Sequence, residues 1–409
     1  MQRFLLGLSL ALRNLLRQPR RSAIAIAAVA FGIVSLMLAN GFVEWIYFDM
    51  RESTIHSQLG HLQIVRPGYH DAGRSDPFGY LLPASGAALD AVIAQPGVTT
   101  VAPRLTFSGL ASHDDTTVSF VGEGVSPARE VELSRSLVVT DGVPLQEGDA
   151  RGALFGVGLA RNLGVKVGDN VVLLVNKASG GANAVDVTVR GLFSTITKAY
   201  DDSALRLPIE TARKLLAVKG AHTWVVLLDD TDRTDAVSAS VRGHIPPREF
   251  EVVPWHRLAD FYNKTVALFS KQMRVVEVII AAIIVLSITN TMMMGVMERT
   301  GEIGTSMALG VRRRSILALF LCEGALLGIF GGVIGLVLGF ALGALISAIG
   351  IPMPPPPGMA HGFVGQIRIT PEFAVEAFTL AVVTALIASL YPAWKASQLA
   401  IVDALRHNR

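Results

Sequence analysis

The run SAIAIAAVAFGIVSLMLANGFV, residues 22–43, carries no charge, and its reading decides the class of this chain. At about 1.5 Å per helical residue it is long enough to cross roughly 30 Å of hydrocarbon. Three further runs of the same kind follow, at residues 278–297, 315 to about 349, and 377–394. The first is set apart from the others by residues 44–277, which read as an ordinary water-exposed protein. This spacing predicts an integral membrane protein of four transmembrane helices with one large α+β domain inserted between the first and second.

Composition agrees. Of 409 residues, 51% are hydrophobic and only 17% charged, and the mean hydropathy of +0.47 suits a chain partly solvated by lipid. A net charge of +3 spread without a single-sign tail gives no footing for nucleic-acid binding.

Orientation follows from the short flanks, because Lys and Arg near membrane ends resist translocation. Arg3, Arg13, Arg17, Arg20 and Arg21 precede the first span, Arg312, Arg313 and Arg314 precede the third, and Lys395, Arg406 and Arg409 follow the fourth. These segments are expected in the cytoplasm, with both termini inside and the large domain outside. The expected organisation is a cytoplasmic amphipathic N-terminal helix (1–21), spans at 22–43, 275–297, 315–349 and 373–394, and an outer domain with helical stalks (44–274). A cytoplasmic loop (298–314), a short Pro-rich outer loop (350–372) and a cytoplasmic tail (395–409) complete it. A cleaved secretory signal is the competing reading of the N-terminus, but the apolar run exceeds a signal core and continues into a helix-like stretch at 44–59. Leu5, Leu8, Leu12, Leu15 and Leu16 recur at helical spacing beside Arg13 and Arg17, the pattern of a helix lying along the inner leaflet.

In the outer domain, strands are expected at 60–66, 98–110, 117–121, 165–175, 185–192, 223–228 and 250–253, and helices at 86–94, 208–217 and 232–243. Residues 256–274 read as a second helical stalk returning to the membrane. The lone cysteine, Cys322, leaves no intramolecular disulfide to staple this domain, and is expected to be a buried thiol of the third span. The domain is large enough to hold its own core, in one or two subdomains.

Several chemistries are absent. Gly-Lys never occurs, so the phosphate-binding loop that ends in Gly-Lys-Ser/Thr is missing, as are a His-Glu-x-x-His zinc helix and a Gly-x-Ser-x-Gly nucleophile turn. The scattered histidines, His56 and His61 included, show no metal-ligand spacing, and no metal site is expected.

In the third span, Gly324, Gly328 and Gly332 recur every four residues, as do Gly331, Gly335, Gly339 and Gly343. Small residues at that spacing mark a face against which another helix packs closely in lipid. Glu323, about two turns into the span, has no Lys or Arg partner in the apolar run; it reads as a hydrogen-bonded or inward-snorkelling carboxylate, with proton coupling as the alternative. Met292, Met293 and Met294 suit lipid contact or helix packing. Pro352 and Pro354 to Pro357 read as a stiff connector.

The sharpest signal is the loop after the second span, Glu298-Arg-Thr-Gly-Glu-Ile-Gly-Thr-Ser-Met-Ala-Leu-Gly310. Here the chain resembles the FtsX/MacB-type permeases of ATP-binding-cassette systems, whose inner loop reads Glu-Arg-x-x-Glu-Ile-Gly-x-x-x-Ala-Leu-Gly. Glu298, Arg299, Glu302, Ile303, Gly304, Ala308, Leu309 and Gly310 match, whereas Ser306 and Met307 stand where that family usually has Leu-Arg or a similar pair. Tyr391-Pro-Ala-x-x-Ala396 and Ala404-Leu-Arg406 are similar to its usual ending. In the outer domain, residues 157–169 and 200–212 resemble the MacB-type core, and residues 60–69 are most similar to the lipoprotein-releasing LolC/LolE branch.

The resemblance implies a mechanical role. A separate ATPase dimer, which alone binds ATP and Mg, would push a short coupling helix, and the spans would relay the movement to paired outer domains in the bacterial inner membrane. A coupling segment needs charges for a partner and an apolar side to dock, which Glu298, Arg299, Glu302, Ile303, Met307 and Leu309 provide, with Gly310 stopping the helix. A second permease subunit, the same or homologous, is implied. Lipoprotein cargo entering between spans one and two, and a periplasmic carrier, follow from the LolC/LolE branch; Phe42, Trp45, Phe48, Phe269 and Met273 are candidate cargo contacts by apolar character. The expected function is lipoprotein extraction, with MacB-like export of small molecules or peptides and FtsX-like signalling to a cell-wall hydrolase as alternatives.

Overall fold

The computed structural model describes residues 2–73, 76–195, 197–355 and 362–400, with side chains from Ser9 onward. Pro356, Pro357, Ala404, Leu405, Arg406 and Arg409 lie outside the described residues, as do the side chains of Arg3, Leu5 and Leu8. The chain divides into a helical unit (up to residue 47, 266–352, and from 364 onward) and an α/β unit (48–265 with 353–363).

Among the described residues, four helices are long and apolar enough to cross a membrane: Pro19–Leu59, Asp260–Glu298, Arg313–Ile349 and Pro371–Ser397, here spans 1 to 4. They outlast the apolar runs. Span 1 is α-helical through Thr54 and ends in a π-turn, Ile55–Leu59, while the second stalk is continuous with span 2. The amphipathic N-terminal segment is a helix, Gln2–Arg17, directly before span 1.

Span 3 is the centre of the helical unit, and its glycines serve two neighbours. A β-carbon on Gly324 would lie 2.5 Å from that of Ser389, and one on Gly328 2.8 Å from that of Ala385, both in span 4. Gly332 faces Phe378 of the same span. Gly331, Gly335 and Gly339 instead meet Val29, Ile33 and Met37 of span 1, and Gly343 meets Ile369 and Ile367. The two registers are offset around the helix, so one span without side chains on two faces admits two backbones at once.

Pro392 inside span 4 cannot donate the backbone hydrogen bond that Ala388 would normally accept. The Thr289 hydroxyl of span 2 supplies it, donating to the Ala388 carbonyl at 2.9 Å. Such replacement is how a proline is tolerated within a membrane helix.

Among the described residues, the large sheet of the α/β unit holds ten strands: β1 Leu62–Val65, β2 Val98–His113, β3 Thr116–Val125, β4 Val138–Gly142, β5 Gly152–Gly156, β6 Asn170–Asn176, β7 Ala182–Ser194, β8 Ala204–Pro208, β9 Thr223–Leu228 and β10 Glu251–Pro254. Their order is β10-β1-β9-β2-β3-β8-β5-β7-β4, and β6 pairs with both β2 and β7. Strands β2, β3, β8, β5, β7 and β6 therefore close into a ring, filled by Leu105, Phe120, Phe155, Leu173 and Leu205. The other half of the unit is the sheet β10-β1-β9-β2, whose core of Leu62, Ile64, Trp224 and Val226 is covered by Val92, Val237 and Val241 of the helices Ala87–Ile93 and Thr234–His244. Strand β2 spans both halves: its first part pairs with β9 and its second with β3 and β6.

Strands β5 and β8, each five residues long and fully buried, are not among the strands expected from the sequence. The strand expected from 165 begins only at Asn170, since Gly164 and Gly168 take positive φ and turn the chain first.

Gly335→Ala would set a β-carbon 2.8 Å from that of Ile33 and 3.0 Å from the Ala30 carbonyl oxygen. It should cost about 1–3 kcal/mol, read as a lower thermal midpoint in detergent. The same change at Gly295, which has nothing within 4 Å, should be neutral or stabilise by up to about 1 kcal/mol. Equal effects at the two sites would contradict the packing described.

Candidate functional site: the coupling segment and the stalk root

Span 2 ends at Glu298, and a turn at Arg299 starts a short helix, Thr300–Ala308. Gly310, at φ +93°, stops it: the Gly310 amide donates to Met307 at 3.0 Å and the Val311 amide to Ser306 at 3.1 Å, the reversal that a left-handed glycine permits.

The two leading charges of the motif pair within the chain, Glu298 from an exposed position and Arg299 from a half-buried one. Glu298 accepts from Gln18 at 3.0 Å and pairs with Arg21. Arg299 donates to the Glu323 carboxylate at 3.2 Å and, through its other nitrogen, to the Asn14 carbonyl at 3.2 Å. Asn14 closes the triangle with a 2.6 Å bond from its amide to Glu323. Glu323 is thus the hydrogen-bonded carboxylate expected, with a basic partner that the apolar run itself does not supply. The partner lies outside the apolar run, at the turn after span 2, and the fold brings it to span 3.

Ile303, Gly304 and Met307 are buried, the first and last among Met292, Val296, Ile316 and Phe320. The apolar side expected to dock on a partner is thus, for Ile303 and Met307, packed into the chain's own bundle. What remains outward is Glu302, Thr305, Ala308, Leu309 and Gly310, with Leu309 82% exposed. Glu302 lies 4.0 Å from Arg17, both largely exposed, a contact worth little in water. Cys322, expected to be buried, is partly exposed.

At the other end of the helical unit, a cavity of about 310 Å³ is lined by Tyr47, Met273, Arg274, Glu277, Arg368 and Glu376 among others. Asn40 donates to Glu277 at 3.3 Å, and the Tyr47 hydroxyl donates to the Val266 carbonyl at 3.2 Å, tying spans 1 and 2. Of the five apolar cargo candidates only Met273 lines this cavity. Phe42 stands against Gly365, while Trp45, Phe48 and Phe269 are half-buried, Phe48 beneath the Arg51 guanidinium at 5.4 Å. The lining is mixed-charge rather than aromatic. Asn40, a polar residue within the first apolar run, was the available signal.

Within the α/β unit, the π-turn that ends span 1 is gripped by two buried arginines. Arg206 donates to the Ser57 carbonyl at 2.9 Å, and Arg104 donates to that of Gln58. Arg104 also makes two 2.8 Å bonds to Glu130, whose second oxygen accepts from Ser134 at 2.6 Å; Ser134 in turn accepts from Arg206 at 2.7 Å. Glu123 pairs with Arg206 at 3.1 Å. Burial alone would raise the Glu130 carboxyl, but Arg104, Arg206 and the Ser134 hydroxyl outweigh it and hold it at about 2. Gly60 then turns the chain at φ +64°, where a β-carbon would strike Val225.

Beside this root, His61 is an uncharged link. The Leu228 amide donates to its Nδ1 at 3.0 Å, its Nε2 donates to the Thr231 hydroxyl at 2.9 Å, and Thr231 donates to Glu52 at 3.2 Å. Burial, with the nearby His56 and Arg51, lowers His61 to about 4.

Both shifts make the root acid-sensitive. His61 binds its proton less readily folded than unfolded, so its contribution is complete above 6.5 and is lost as the pH falls from there to about 4. That of Glu130 is complete above 4.5 and is lost as the pH falls toward 2. Peptide-resolved hydrogen exchange of the full chain should show β9 protection declining first between these His61 limits; a flat profile down to pH 4 would contradict the assignment. Separately, Arg299→Met should leave Glu323 buried without its ionic partner and cost about 3 kcal/mol, with Arg299→Met/Glu323→Gln recovering part of it. A single variant with an unchanged thermal midpoint would refute the triangle.

Two family models together match most of the chain. Residues 22–244 match the MacB-like periplasmic core domain and residues 274–401 the FtsX-like permease C-terminal family. An uncharacterized ABC transporter permease, MJ1507, of Methanocaldococcus jannaschii is 28% identical over 51% of this chain and 52% of its own length. The lipoprotein-releasing system transmembrane protein LolC of Neisseria meningitidis is 24% identical over 75% of this chain and 73% of its own. The macrolide export ATP-binding/permease protein MacB of Rhodospirillum rubrum is 25% identical over 98% of this chain but only 60% of its own. The crystal structure of the periplasmic region of MacB from Actinobacillus actinomycetemcomitans is similar over 50% of this chain and 93% of that one, at 12% identity and a TM-score of 0.35. With an FtsX-like permease segment following a MacB-like core domain, the chain belongs to the MacB/FtsX/LolC type of membrane-spanning ABC transporter permeases.

Proposed function

We propose that this permease is moved by an ATPase dimer carried on separate chains, and that the movement extracts lipoproteins from the inner membrane for delivery outward. The observation carrying the lipoprotein reading is the LolC match, which extends over three quarters of this chain and nearly as much of the relative. The outward face of the coupling helix, Glu302, Thr305, Ala308 and Leu309, is the surface offered to the ATPase. Glu298 and Arg299 act behind it by fixing the helix to the N-terminal segment and span 3. The arginine-rich flanks support a cytoplasmic position for this end and a periplasmic one for the α/β unit. A push on the coupling helix then reaches the π-turn through span 1, whose end is held by Arg104 and Arg206. Two permease subunits, identical or homologous, complete the path.

The second reading, export of a small molecule or peptide, is favoured by the MacB match, which covers nearly the whole chain. Affinity purification in mild detergent, with mass spectrometry of co-purifying proteins and lipids, separates the two. Acylated proteins retained in the ATP-free complex are expected, and their reproducible absence would remove the lipoprotein reading. Glu302→Lys, on an exposed side chain, should uncouple the partner's ATP hydrolysis from transport without lowering the thermal midpoint; intact coupling would count against the coupling face.

A further inference from the structure

A groove of about 720 Å³, larger than the cavity at the opposite end, opens behind the coupling helix. Leu10 and Asn14 of the N-terminal helix form one wall, Glu302, Ile303 and Ser306 of the coupling helix a second, and the first turns of span 3, from Arg314 to Cys322, a third. All belong to the helical unit.

Glu302, Ile303 and Ser306 of the coupling helix line the groove, Glu302 at a rim it shares with the exposed face, whereas Thr305, Ala308 and Leu309 are exposed outside its lining. The depth of the groove, from Ile316 to Cys322, runs along span 3, the side from which a lipid would enter.

Charge identifies the occupant. Arg299 is matched by Glu323, and Glu302 has Arg17 at 4.0 Å. Arg314 has no ion pair among the described residues, so the rim carries one uncompensated positive charge. From Arg314 inward the lining turns apolar through Ile316, Leu319 and Phe320, and Cys322 lies about 12 Å along the helix axis from Arg314. A cation above and an apolar channel below is the complement of a phosphate joined to an acyl chain.

We propose that this groove binds one anionic phospholipid of the adjacent leaflet, its phosphate at Arg314 and the upper part of one acyl chain along Leu319 and Phe320 toward Cys322. The lipid braces the coupling helix along its Ile303 and Ser306 side. The inference depends on the chain spanning the membrane and not on the choice of cargo.

The sole cysteine of the chain lies at the inner end of the groove and reports its occupancy. The full-length permease is reconstituted in nanodiscs of phosphatidylcholine alone or of phosphatidylcholine with phosphatidylglycerol, and the rate of Cys322 alkylation by a maleimide is measured. Labelling should be several-fold slower with phosphatidylglycerol. Arg314→Glu should abolish the difference, while Arg314→Lys, and Arg312→Gln outside the groove, should keep it. Equal wild-type rates would overturn the proposal, as would slowing that survives Arg314→Glu. Slowing that appears only when the ATPase is added, whatever the lipid, would assign the groove to that protein and overturn it too. Native mass spectrometry of the delipidated wild type, with phosphatidylglycerol added back, tests the same point without a variant: one retained lipid per chain is expected, and none would refute it.

Discussion

Close approach of backbones in a solvent that exerts no hydrophobic pressure is the constraint on which the helical unit depends. Lipid tails are as apolar as leucine, so the spans gain little from merely meeting; they gain from packing tightly. Span 3 resolves this by carrying glycine on two faces, one for span 4 and one for span 1. Span 2 packs through Ile280 and Ile284 against Gly32 and through the hydroxyl of Thr289 on the carbonyl that Pro392 leaves open.

Buried charge supplies what apolar packing cannot, a single register. Arg299, Glu323 and Asn14 join three elements of the helical unit at one point, and Arg104, Arg206 and Glu130 do the same for the turn that ends span 1. Such clusters are poor sources of net stability, because desolvation consumes much of the attraction. A slipped arrangement would leave a charge unpaired in a dry environment, and that penalty holds each joint in place. Span 1 runs through the helical unit and, without a break in the chain, into the turn gripped by the arginines.

The coupling motif shows where a reading by residue type stops. Its position, helical form and glycine stop were legible, since each follows from local pattern. Its division of labour was not. Glu298 and Arg299 look like surface charges and Ile303 and Met307 like a docking face, yet all four are turned toward the chain's own elements. The mixed-charge cavity beside Met273 was likewise hidden, because Arg274, Glu277, Arg368 and Glu376 are unremarkable polar residues until helix ends assemble them.

By itself the sequence determined the four spans, the inserted α+β domain, the glycine faces and the family, because hydropathy, helical period and contiguous motifs are properties of neighbouring residues. Only the tertiary structure decided which side chains meet. Asn14 and Glu323 stand 309 positions apart, and Arg206 and Ser57 149 apart. No local period encodes such pairs; they are selected when the chain closes on itself and each buried polar group must find a partner.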